Sequence, residues 1–205
     1  ARRLIRTVNN YDPNRPQNDE NLWNIVTGYE YDSRGNQVSV TDTYGNTTAY
    51  EYDLSGRLVS TTDADGNVST NTYDDAGNLI ATTNALGYTT QYVYDDAGRI
   101  VSIIDPSGNS NQTVYNPDGT VASTIDALGN ETVYQYDALK RVTGVVKPDG
   151  STTHNTYDAA GNLIAVTDEL GRVTGYEYDA LGRLIKTTDP LEGITENFYD
   201  EASRL

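Results

Sequence analysis

Short β-branched or aromatic runs alternate with polar turns along nearly the whole chain. Residues 50–70 show one full cycle. Leu58 to Thr62 and Val68 to Tyr73 are rich in Leu, Val, Thr and Tyr, the composition of strands. Between the runs lie Asp53-Leu54-Ser55-Gly56 and Asp63-Ala64-Asp65-Gly66. Asp at the first position and Gly at the fourth are the signature of a type I turn followed by a left-handed residue. The Asp side chain is placed to accept from the amide two residues on, and Gly tolerates positive φ. Pro106, Pro117, Pro148 and Pro190 all fall at the second turn position, where a fixed φ helps. The pattern therefore predicts antiparallel strands joined by tight turns, with no helix, because Gly, Pro and β-branched residues recur too often for one.

The cycle is 21 residues long and is marked by a Tyr-Asp pair. The motif positions are Tyr31, Asp32 and Gly35; Tyr52, Asp53 and Gly56; Tyr73, Asp74 and Gly77; and Tyr94, Asp95 and Gly98. They continue as Tyr136 and Asp137; Tyr157, Asp158 and Gly161; and Tyr178, Asp179 and Gly182. Tyr199-Asp200 follows, and at Tyr115-Asn116 only the acid changes. So strict a period means one hairpin stacked on copies of itself. Each hairpin advances a sheet by ~9.6 Å. About eighteen strands exceed the ~10 that open sheets usually hold, and strand twist should coil such a sheet into a spiral or part of a barrel wall.

Residues 1–28 are out of phase. Arg3 to Thr7 reads as the end of a preceding repeat, followed by a polar insertion around Pro13 to Asn21 and by the only Trp, Trp23. Residues 29–205 are the array, of about eight to nine units. The chain begins and ends in mid-repeat, at Arg3-Leu4 and Arg204-Leu205, and reads as a piece of a longer protein. Asp189-Pro190-Leu191-Glu192-Gly193 reads as a stretched second turn, and Lys140 replaces a turn glycine.

Neighbouring repeats are not equivalent. Two positions before the paired Tyr, the residue runs Tyr50, Asn71, Tyr92, Thr113, Tyr134, Asn155, Tyr176, Asn197. Five positions after it, Arg57, Asn78, Arg99, Thr120, Arg141, Asn162, Arg183 also alternate, with Arg204 breaking the rhythm. Either alternate hairpins pack in two settings, or the alternation is a remnant of duplication.

Charge and composition narrow the function classes. The formal net charge is −16, with 30 acidic and 14 basic residues. Without Lys/Arg clusters to release counterions, nucleic acid is excluded as a partner, as is an anionic membrane surface. Fourteen Asp residues stand at turn starts, so the acidity looks architectural. Cys is absent, which excludes disulfides and thiolate metal sites. No run is long enough to span a membrane as a helix. At 36% hydrophobic residues, the array should bury thin, one-sided apolar layers.

The block Tyr-x-Tyr-Asp-x-x-Gly-Arg-Leu, at Tyr50 to Leu58 and Tyr176 to Leu184, resembles the YD repeat of the Rhs family. That family includes bacterial polymorphic toxins, shell components of insecticidal toxin complexes, and teneurins. The resemblance implies an all-β array of tandem hairpins in a long, coiled antiparallel sheet, a β-spiral forming part of a hollow shell. In bacterial members the shell encloses a toxic segment. Asp105-Pro106-Ser107-Gly108 matches the letters of the family's self-cleavage motif, but it sits in phase with the other second turns and reads as one of them.

The residues give no catalytic, cofactor-binding or metal assignment. His154 is the only histidine, in a column shared with Ala49, Gln91 and Gln112, and reads as a surface position. Carboxylate pairs are abundant, but nothing marks one out for acid–base work. Asp63-Ala64-Asp65-Gly66-Asn67 is similar to part of a calcium loop but lacks the distal Glu. The Tyr columns suit either cross-strand packing or stacking on sugar rings. The leading expectation is a structural, non-enzymatic scaffold, secreted or at the cell surface of a bacterium, that encloses or displays a polypeptide cargo. The alternatives are a glycan-binding adhesion module and a self-associating extracellular fibre.

Overall fold

Each Asp-to-Gly tetrad closes as a turn. Gly56 N–H donates to Asp53 O at 3.1 Å, and Asp53 N–H donates to Arg57 O at 2.9 Å. Gly56 sits at φ +79°, the left-handed conformation that lets a type I turn join two strands without splaying them. Asp105 to Gly108 makes the same turn, with Gly108 N–H 3.0 Å from Asp105 O. Where glycine is missing the backbone keeps the shape, and Lys140 takes φ 63°. The stretched turn expected at residues 189–193 is corrected by the structure. Glu192 donates to Asp189 O at 3.0 Å, and Asp189 pairs with Gly193 O at 2.8 Å. The turn keeps its usual length, and Glu192 takes the left-handed position at φ 66°. A Cβ on Gly193 would lie 2.5 Å from Asp189 Oδ2, so glycine is needed one residue later there.

The computed structural model describes residues 4–9, Tyr11 and residues 25–200. The chain divides into two compact units, residues 1–109 and 110–205. The first contains β1 (Arg6–Asn9), β2 (Ile25–Tyr31), β3 (Gln37–Thr41), β4 (Thr47–Tyr52), β5 (Leu58–Thr62), β6 (Val68–Tyr73), β7 (Leu79–Thr83), β8 (Thr89–Tyr94) and β9 (Ile100–Ile104). The second contains β10 (Ser110–Tyr115), β11 (Val121–Ile125), β12 (Glu131–Tyr136), β13 (Val142–Val146), β14 (Thr152–Tyr157), β15 (Leu163–Thr167), β16 (Val173–Tyr178), β17 (Leu184–Thr188) and β18 (Ile194–Glu196). Within each unit every strand pairs antiparallel with the next in sequence, an all-β meander of tandem hairpins. The insertion around Pro13 to Asn21 and Trp23 lie outside the described residues. The strands on either side of them, β1 and β2, pair with each other.

The two kinds of hairpin differ. Across the first turn, β4 and β5 match Glu51 with Ser60 but Tyr52 with Leu58, so Val59 is left unmatched in a β-bulge. Across the second turn, β5 and β6 run in plain register from Thr62↔Val68 to Ser60↔Thr70, and pairing stops there. Leu58 and Val59 thus lie beyond the end of the β5–β6 ladder.

Alternation along the strand separates two faces. In β4, Thr48, Tyr50 and Tyr52 are half-buried, while Thr47, Ala49 and Glu51 are exposed. Among the described residues no hydrophobic side chain is fully buried; the buried side chains are Ser39 and Ser123. The apolar layer is therefore one side chain thick and lies on the Tyr face.

Candidate functional site

The motif positions read from sequence line the first-turn edge of each unit. Tyr31, Asp32 and Gly35 through Tyr94, Asp95 and Gly98 do so in the first, and Tyr136 and Asp137 through Tyr178, Asp179 and Gly182 in the second. Each Tyr closes its strand opposite the first residue of the next, as Tyr52 opposite Leu58 and Tyr136 opposite Val142.

The Tyr hydroxyls act between repeats. Tyr73 Oη donates to Leu58 O at 3.0 Å, Tyr94 Oη to Leu79 O at 2.9 Å, and Tyr178 Oη to Leu163 O at 2.9 Å. Each acceptor is the bulge carbonyl that the ladder between hairpins fails to reach. A backbone carbonyl left without a partner is costly, and the Tyr supplies the missing rung. In alternate repeats an Asn adds a second donor. Asn71 Nδ2 reaches Leu58 O at 3.1 Å, and Asn155 Nδ2 reaches Val142 O at 3.1 Å.

Each Asp works within its own turn. Asp53 Oδ1 accepts from the amides of Ser55 and Arg57, both at 2.9 Å, and Oδ2 accepts Arg57 Nε at 2.6 Å. Asp158 Oδ1 accepts from Asn162 N–H at 2.8 Å, and Oδ2 from Asn162 Nδ2 at 2.9 Å. These bonds favour the ionised form. The amide side chain of Asn162 chiefly lowers the pKa of Asp158, and Asn78 does the same for Asp74. For Asp53 and Asp179 the backbone N–H of Arg57 and Arg183 leads.

The alternating Arg also reaches the following repeat. The Arg57 guanidinium lies 4.7 Å over the Tyr73 ring and donates to Asp74 O at 3.2 Å. Arg141 lies 4.5 Å over Tyr157 and donates to Asp158 O at 3.4 Å. Arg183 lies 4.7 Å over Tyr199. Two kinds of joint therefore occur. In one, Arg of a repeat covers the Tyr of the next, whose second-before residue is Asn71, Asn155 or Asn197. In the other, Asn36, Asn78 or Asn162 faces a repeat with two tyrosines, such as Tyr176 and Tyr178. The two alternations read separately from sequence share one offset: an Arg stands fourteen residues before an Asn or Thr, and an Asn or Thr stands fourteen residues before a Tyr. The fixed offset was visible in the sequence, but nothing there said that the Arg covers the paired Tyr of the next repeat.

Among the described residues no group of three or more His, Asp or Glu could hold a metal ion. His154 is exposed on β14, opposite Gly144. Exposed ion pairs, unread in the sequence, link successive second turns at Lys147 and Glu169 and brace the other face at Lys186 and Glu177.

The RHS Repeat family model matches the chain four times, at residues 31–68, 73–110, 115–152 and 157–193. Each match starts at a paired Tyr and spans two hairpins, the same double unit that the joints define. No curated protein sequence matches the chain. Among solved structures, the chain is similar to one described as the crystal structure of TcdB2-TccC3-TEV (TM-score 0.68, 18% identity, 88% of this chain and 11% of that one). It is also similar to a chain of the Photorhabdus luminescens Tc holotoxin pore carrying the TccC3 mutation D651A (TM-score 0.57, 17% identity, 80% and 12%). A third similar chain is from TcdB2-TccC3 without its hypervariable C-terminal region (TM-score 0.55, 19% identity, 88% and 12%). The chain spans 11% to 12% of the length of these three.

Proposed function

Since the chain belongs to the RHS repeat family, we propose that it is a segment of structural wall, a β-spiral that encloses or displays another polypeptide in a secreted bacterial toxin. The observation that carries this reading is where the polar side chains go. The turn carboxylates bind within their own repeat, the paired Tyr hydroxyls bind the repeat before, and the alternating Arg also reaches the repeat after, as expected of a building unit. The likeness in fold to Tc toxin chains supports the same reading. The surplus of acid keeps such a wall soluble and repels nucleic acid.

Limited proteolysis of the full-length protein that carries this chain tests the proposal. Cleavage sites in the enclosed polypeptide should stay protected under native conditions and become accessible at the denaturant concentration that melts the array. Enclosed and exposed segments cut at the same rate in native buffer would overturn enclosure.

A further inference from the structure

The Arg joints show what the Tyr face can hold. At residues 137–158, the Arg141 guanidinium is fixed by Asp137 at 2.6 Å, lies over Tyr157, and donates to Asp158 O. One repeat later the same frame recurs with Asn162 in place of Arg and with Tyr176 and Tyr178 in place of Asn155 and Tyr157. A cavity of about 630 Å³ opens there, lined by Asp158, Asn162, Ile164, Tyr176, Glu177, Tyr178 and neighbouring turn residues. That volume lies in the range of small-ligand sites, about 300–1,000 Å³.

The chemistry of the lining selects a cation. The Tyr178 hydroxyl hydrogen is committed to Leu163 O. Asn162 turns its Nδ2 to Asp158, while its Oδ1 stands 3.8 Å from where a Cβ on Gly182 would lie. The Asp158 carboxylate is bonded by the Asn162 backbone and side-chain amides, and Arg141 meets only its backbone carbonyl, whereas the Asp137 carboxylate is paired directly with a guanidinium. Oxygen acceptors and two aromatic rings therefore dominate the cleft. A guanidinium has five N–H donors, no acceptor and a flat face that stacks on Tyr. A sugar offers hydroxyls that need donors as well as acceptors.

We propose that the cleft between the turns at Asp158–Gly161 and Asp179–Gly182 receives an arginine side chain from another polypeptide, in the place that the array's own Arg fills at the alternate joints. Asn78 with Tyr92 and Tyr94 repeats the residue set in the first unit. This extends the wall reading by naming a side chain that the wall can grip. It would fail alone if the cleft were silent, while the proteolysis above decides enclosure.

Titration of the 205-residue chain with N-acetyl-argininamide, followed by NMR at the Gly182 amide and the Tyr178 ring, tests the assignment. Saturable shifts are expected with a Kd on the order of 1 mM, and about tenfold weaker binding for the neutral isostere N-acetyl-citrullinamide. Asn162→Arg fills the cleft from within and should abolish the response at Gly182. Asp158→Asn, a second variant should the first not fold, should weaken binding about threefold. Equal response to the citrulline probe, no saturable shift, an unchanged response in Asn162→Arg, or binding of maltose in place of the arginine probe would overturn it.

Discussion

At the scale of single residues, the Tyr-Asp pair divides its work. The Asp folds its own turn, and the Tyr hydroxyl joins that turn to the hairpin before it. The two kinds of joint make the Tyr contribution separable. Leu79 O accepts from Tyr94, whereas Leu58 O accepts from both Tyr73 and Asn71. Tyr94→Phe is therefore expected to cost about 1 kcal/mol, the usual value of a lost hydrogen bond. Tyr73→Phe, backed by Asn71, should cost less than half of that; urea midpoints of the two variants give the comparison. The turn carboxylates set the acid limit. Asp53, Asp74, Asp158 and Asp179 titrate below the ordinary 3.8 in the folded chain. The unfolded chain thus binds protons first as pH falls. Their stabilisation is complete above 3.8 and is lost as pH drops through the lowered values. At 0.15 M salt, which screens the repulsion among exposed charges, the midpoint should hold from pH 7 to pH 5 and fall below about pH 4. A midpoint that rises on acidification would contradict this. The turns themselves were legible, because Asp and Gly stand at fixed positions with local reasons. The targets of Tyr73 and Arg57 were not, since a contact fifteen or seventeen residues away depends on where the ladder stops.

At the scale of the element, the hairpin is the unit of sequence and the pair of hairpins is the unit of packing. Strand limits such as Leu58–Thr62 and Val68–Tyr73 followed from composition between two unmistakable turns. The bulge at Val59 left no mark in the letters, because any β-branched residue suits both a bulge and a plain strand. The alternation left a clear mark whose cause lay in three dimensions: Arg57 goes with Asn71, and Asn162 goes with Tyr176. A double-mutant cycle tests this coupling. Arg57→Asn should lose the contact over Tyr73 and cost about 1 kcal/mol. Asn71→Tyr alone crowds the guanidinium and should cost a similar amount. The double variant recreates the other kind of joint, so its loss should fall short of the sum by about 1 kcal/mol. Additive losses would mean that the two columns are independent and the alternation is a remnant of duplication.

At the scale of the whole chain, the described residues bury no hydrophobic side chain completely. Backbone rungs, turn carboxylates and Tyr hydroxyls replace a central core. The low hydrophobic content made thin layers predictable; that even the Tyr face stays half-open goes with the described strands of each unit meeting only their neighbours in the sheet. The consequence is thermal. Unfolding raises the heat capacity through newly wetted apolar surface and lowers it through wetted polar surface. A chain that starts with its apolar groups half-wet and its amides paired has little of the first and a full share of the second. Calorimetry should therefore give a heat-capacity increment well below the usual 12–15 cal/mol/K per residue. Its stability curve should be a broad, shallow dome that changes little between the cold and body temperature.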